Sequence, residues 1–118
     1  MSIESKIYEV LRALVSDRVF PDYAPFNTER PFITYQQFGG KPLTFLEKAL
    51  PSKKNGLFQI HVWADTRAQA AQIANAVEVA LVQAPTFEAD PMTGARAAHD
   101  PDIPIYGSAQ DFSIWFDR

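Results

Sequence analysis

Cysteine is absent from the 118-residue chain, which excludes disulfide staples, thiolate zinc sites and cysteine nucleophiles, so the fold must be held by packing alone. Long apolar runs are absent too. No stretch approaches the roughly 20 residues needed to cross a bilayer, and Met1-Ser-Ile-Glu-Ser-Lys6 lacks the charged-then-apolar order of a signal peptide; the expectation is a chain made and kept soluble, with no membrane partner. Clustered positive charge is also scarce. The net charge is -3 and Lys53-Lys54 is the one basic pair, which argues against a general nucleic-acid surface, since phosphate binding draws on grouped Lys and Arg. No internal repeat or linker divides the chain, which has the size of one ordinary domain. What is present is apolar and aromatic: 47% hydrophobic and 13% aromatic residues, the composition of a packed globular protein.

Residues 57 to 66 carry the clearest local signal. Phe58, Ile60, Val62 and Ala64 alternate along one side of a strand, leaving Gln59, His61 and Trp63 on the other. The C-terminal Asp111-Phe-Ser-Ile-Trp-Phe116 repeats the pattern, with Phe112, Ile114 and Phe116 on one side and Ser113 and Trp115 opposite. Each segment holds one of the two tryptophans. Thr66-x-x-Gln69 is a capping-box spacing, and Ala70, Ile73, Ala74, Val77 and Leu81 recur at helical intervals before Pro85, which predicts a helix from about Arg67. Ile3, Ile7, Val10, Leu11 and Leu14 form the stripe of an earlier helix with Ser2 as its cap.

Between these, Val19-Phe20 suggests a short edge strand, and Pro21, Pro25 and Pro31 mark an extended connector. Phe32 to Phe38 reads as a strand stopped by Gly39-Gly40 and paired with 57 to 64. Residues 41 to 56, containing Pro42, Pro51 and Asn55-Gly56, are too long for a tight hairpin and suggest a projecting excursion. Thr86 to Ala89 could open a further strand, but Pro91, Gly94, Pro101 and Pro104 leave its register open. The order predicts an α+β fold: an antiparallel sheet of about four strands with two helices packed on one face.

The two histidines do not make a metal site. His99 sits beside Asp100 and Asp102, while His61 lies far off in mid-strand, and zinc needs three or four converging ligands. Ser108 or Ser113 with His61 and Asp65 could be drawn as a triad, yet no nucleophile elbow is present. Gly39-Gly40 lacks the strand-to-helix setting of a phosphate loop. No catalytic residue, metal or cofactor is expected. Trp63 and Trp115 carry more weight, since aromatics on a sheet's second face either meet a partner, pair across strands or are covered by the 41 to 56 excursion.

Phe58 to Ala70, the helix that follows, and Asp111 to Phe116, with Val62-Trp-Ala-Asp-Thr66 as the best motif, resemble the small tail completion or tail terminator-like proteins of tailed bacteriophages and prophages. The resemblance covers nearly the whole of 1 to 118 and implies a structural protein without a cofactor. Its place would be the virion tail, with the host cytoplasm as the site of assembly. Its partners would be other tail and head-connector proteins, and its assembled form a homo-oligomeric ring that ends the tail and helps join it to the head. On that basis His61, Trp63, Ser113 and Trp115 are candidate subunit-interface residues, and Phe45, Leu46, Lys53 and Lys54 a candidate partner-contacting loop. A different class remains open: a small ligand-binding or enzymatic domain using the His61, Trp63 and Ser113 face as a pocket floor.

Overall fold

The computed structural model describes residues 2–42, 52–100 and 102–118. Helix α1, Ile3–Leu11, opens with Ser2, whose Oγ accepts from the Ser5 amide at 3.1 Å; a 3-10 turn over Arg12–Leu14 continues it. Helix α2, Arg67–Val82, opens with Thr66, whose Oγ1 accepts from the Gln69 amide at 3.1 Å. The Gln69 side chain returns to the Asp65 amide at 3.4 Å rather than to the cap's own amide, so the reciprocal half of the expected capping box is shifted by one residue. The strands are β1 Val19–Pro21, β2 Phe32–Gly39, β3 Lys53–Ala64, β4 Glu88–Pro91, β5 Arg96–His99 and β6 Tyr106–Asp117.

The architecture is α+β, but among the described residues the sheet is mixed and has six strands in the order β1-β2-β3-β6-β4, with β5 also on β6. Two features account for the departure from about four antiparallel strands. Val19–Pro21 does form the edge strand, yet it runs parallel to β2, because a connector of ten residues, 22–31, takes the chain back to the start before β2 begins; a parallel pair needs such a crossover. Beyond α2, the proline-rich stretch lies along β6 in two pieces. Glu88–Pro91 pairs with 112–115 and Arg96–His99 with 106–109, so residues 92–95 stand opposite only 110 and 111. The mismatch is bridged locally: the Met92 amide donates to the Asp111 carbonyl at 2.8 Å and the Asp111 amide to Thr93 Oγ1 at 3.2 Å.

The core lies between the sheet and both helices. Directly opposed residues share a face, and Tyr35, Ile60 and Gln110 are in register, as are Phe58 and Phe112. Phe58, Ile60, Val62, Phe112 and Ile114 are buried against Ile7 and Leu11 of α1 and Ala74, Val77 and Leu81 of α2. Each fully buried Phe of the central pair contributes about 1.5–3 kcal/mol of transfer free energy. Two polar members of this face, Gln110 and Tyr35, meet helix partners. Gln110 Nε2 donates to Glu78 of α2 at 2.6 Å. The Tyr35 phenol is pushed up to about 12, first by burial and then by the hydrogen-bonded Glu4 carboxylate of α1.

Candidate functional site

The same pairing rule sorts the second face, away from the helices. Trp63 stands opposite Phe32 on β2 and Gly107 on β6, His61 opposite Thr34 and Ala109, and Gln59 opposite Gln36 and Asp111. A Cβ on Gly107 would lie 2.7 Å from the Trp63 ring, so the indole occupies the space that only glycine leaves free. His61 stacks on Trp63 with ring centroids 5.5 Å apart and planes 6° from parallel.

The connector 22–31 forms a wall above this pair. Asp22 and Asn27 hold positive φ, 64° and 62°, in the left-handed region that Asp and Asn tolerate better than most residues, and these bends carry the segment over the sheet. Arg30 fixes it: Nε pairs with Asp65 Oδ1 at 3.0 Å and Nη1 reaches the Pro104 carbonyl at 3.5 Å. Opposite, Asp100, Ile103 and Ile105 make a second wall. Arg67 at the start of α2 holds that wall, donating to the Gly107 carbonyl at 2.6 Å and the Ala98 carbonyl at 3.2 Å with its guanidinium 5.3 Å from the Tyr106 ring centre. Between the walls runs an open groove of about 910 Å³, floored by Phe32, Thr34, His61 and Trp63. Its rim carries Tyr23 and Phe26, 81% and 94% exposed, aromatic side chains with almost no cover.

The electrostatics of the groove are acidic. Among the described residues Asp22, Glu29, Asp65 and Asp100 line it together with Arg30, and Arg18 lies 4.0 Å from Glu29. Further along the floor, Asp111 accepts from Gln59 Nε2 at 3.3 Å and pairs with Arg96 at 3.5 Å. His61 is held below its ordinary value, first by burial and then by Arg96, with Asp111 opposing, a shift that favours the neutral imidazole.

The face expected to hold His61, Trp63, Ser113 and Trp115 brings only the first two together. Ser113 is opposite Leu57, four positions or about 13 Å along the strand from His61, and its Oγ accepts from the buried Asn55 amide at 2.9 Å. That separation leaves no nucleophile–base contact; Ser108 is in register with Val62 on the helix side. Trp115 stands opposite Asn55 and Glu88, eight positions or about 26 Å from Trp63, so the tryptophans are not a cross-strand pair. Lys53 and Lys54 are not at a loop tip but open β3, which begins four residues before the expected strand, because β6 is long enough to pair with them. Lys53 Nζ lies 3.0 Å from Asp117 Oδ1 and holds that carboxyl below its ordinary range. Phe45 and Leu46 lie outside the described residues. Among the described residues no group of three or more His, Asp or Glu could hold a metal ion. Sequence reasoning missed the wall and its arginines; the signal available was Asp22 and Asn27 among three prolines, residues suited to tight bends rather than a plain extended connector.

A family profile described as Tail completion protein gp17 matches residues 8–117. A chain in the solved structure of the virion of a native gene transfer agent (GTA) particle is similar in fold, with a TM-score of 0.69 at 18% sequence identity over 99% of this chain and 96% of that one. Among curated proteins no sequence matches the chain.

Proposed function

The chain belongs to the tail completion protein gp17 family, and from that premise we propose that this structural phage tail protein completes the head-proximal end of the tail. In this role it stops further tube growth and presents a surface on which the head connector docks, acting as copies closed into a ring. The observation that carries the proposal is the span of the family match, residues 8–117, which takes in the end of α1, all of α2 and every strand among the described residues rather than one motif. The chemistry of the second sheet face suits the role. A rigid six-stranded platform with an aromatic floor and exposed Tyr23 and Phe26 offers the buried aromatic anchors on which protein interfaces depend. Closure by rotation then needs each copy to meet the next through two different surfaces.

The test is electron microscopy of particles made without this protein. Overlong tails, or filled heads and tails lying apart, are the expected result; normal virions would sink the proposal. The groove's volume of about 910 Å³ also falls in the range of small-molecule sites, which favours the ligand-binding alternative. A metabolite retained by the purified protein in native mass spectrometry, and lost from a Trp63→Ala variant, would turn the assignment that way.

A further inference from the structure

The groove on the second face holds more negative charge than its neighbours neutralise. Of its four carboxylates, Asp65 is paired with Arg30 at 3.0 Å and Glu29 with Arg18 at 4.0 Å. Asp22 and Asp100 stand in no ion pair among the described residues. The two acids lie on opposite sides of the groove. Asp22 follows β1 and Asp100 follows β5, four strand spacings apart in the sheet, or about 19 Å. One side chain cannot meet both. Between them lie the Phe32, His61 and Trp63 rings, with Thr34, Gln36 and Gln59 adding hydrogen-bonding groups, and the rim carries Tyr23, Phe26 and Ile103, all well exposed.

The described cations of this chain are committed elsewhere. Arg12 pairs with Glu9 and Asp17, Arg18 donates to the Pro31 carbonyl, Arg67 holds two carbonyls, Arg96 pairs with Asp111, and Arg118 is engaged as well. Lys53 pairs with Asp117. Lys6 belongs to α1, on the other side of the sheet, and Lys41 and Lys54 lie at its far end, where the Lys41 amide donates to Asn55 Oδ1 at 3.0 Å. Asn55 is eight positions along β3 from Trp63, about 26 Å away. Complementary charge for the groove therefore comes from another protein.

We propose that the groove receives an extended segment of a different protein of the particle, with a basic side chain at each end and apolar residues between. One basic side chain faces Asp22 and the other Asp100, about six extended residues apart, while the apolar residues rest on Trp63 and Phe32 between Tyr23, Phe26 and Ile103. A cation over an aromatic floor gains from the ring as well as from the carboxylate. The inference rests on the proposed tail role for the identity of the neighbour and names the surface and the chemistry by which that neighbour is held.

The test is a titration of the purified protein with the peptide acetyl-Arg-Leu-Ala-Leu-Ala-Leu-Arg-amide, followed by the nuclear magnetic resonance signals of Trp63, Tyr23 and Phe26. The expected result is saturable shifts with a Kd of about 1 mM or tighter, weakening as salt is raised. Replacing both arginines of the peptide by citrulline, or both acids of the protein in an Asp22→Asn, Asp100→Asn variant, should weaken binding about fivefold, the size expected of two solvent-screened ion pairs. Asparagine keeps the fold: it tolerates the φ of 64° at position 22 and preserves the acceptor for the Asp102 amide at position 100. No shift at about 10 mM peptide, or equal binding by the citrulline peptide or by the variant, overturns the inference and leaves the tail role standing. In assembled tails, a benzophenone amino acid at position 26 should join the chain to a different tail or connector protein at a segment with two basic residues about six apart. An adduct with a second copy of this chain, or with a segment lacking those residues, overturns the inference; normal virions without the protein would remove the tail role itself and leave the peptide result as it is.

Discussion

Trp63 and Gly107 are a matched pair, because the indole lies where any side chain at 107 would have to go. Gly107→Ala places a methyl carbon 2.7 Å from the ring and should cost about 1–3 kcal/mol, the usual penalty of overpacking. Thermal unfolding would measure the loss, and a change in the near-ultraviolet circular dichroism of tryptophan would show the displaced ring. His61 beside it links the face to pH. The folded chain holds its pKa below the ordinary 6.5, so the unfolded chain takes up the proton first as pH falls. The contribution is therefore complete above about 6.5, declines as pH drops, and levels off only below the folded value. Urea midpoints should fall between about pH 7 and pH 5, and His61→Gln should flatten that slope. Arg67 is the residue whose loss should spread furthest. Arg67→Ala removes donors to two carbonyls and a cation over Tyr106, and should lower stability by about 1–2 kcal/mol. Faster amide exchange confined to residues 98 to 107 would mark the loosened wall.

At the level of elements, the strands and helices with a regular period were legible from the chain. Phe58, Ile60 and Val62 alternate because β3 is half buried, and Ala70, Ala74, Val77 and Leu81 recur because α2 lies on the sheet; both sets are buried as the spacing requires. Phe112→Ala, in the central cross-strand pair, should cost about 3–5 kcal/mol, and Thr66→Ala at the cap of α2 about 1 kcal/mol; chemical denaturation would separate the two. What periodicity could not reveal is how elements are joined. The parallel sense of β1 follows from where the 22–31 connector delivers the chain, a nonlocal outcome. The division of the last edge into β4 and β5 follows from residues 92–95 standing opposite only two residues of β6. The candidate site was half legible for the same reason. Alternation places His61, Trp63, Ser113 and Trp115 on one face, and register alone tells that Trp63 and Trp115 lie far apart along it. Lys53 and Lys54 were hidden in Asn55-Gly56, a turn signal overridden by twelve residue pairs between β3 and β6.

Across the whole molecule, one layer of helices seals one face of the sheet and leaves the other to two loops and whatever meets them. The chain belongs to the tail completion protein gp17 family, and the proposed role is one of contact; the unsealed face carries the most exposed aromatics among the described residues, Tyr23 and Phe26, beside a half-buried Trp63. The acidic groove should make association sensitive to salt, since exposed charges are screened within about 8 Å at physiological ionic strength. The central claim is that copies of this chain complete the tail where it meets the head. Cryo-electron microscopy of that junction tests it most directly. The account predicts a closed ring of these α+β domains between the tail tube and the head connector, each with its second sheet face against a neighbour; a junction built without this domain, or the domain found elsewhere on the particle, would contradict it.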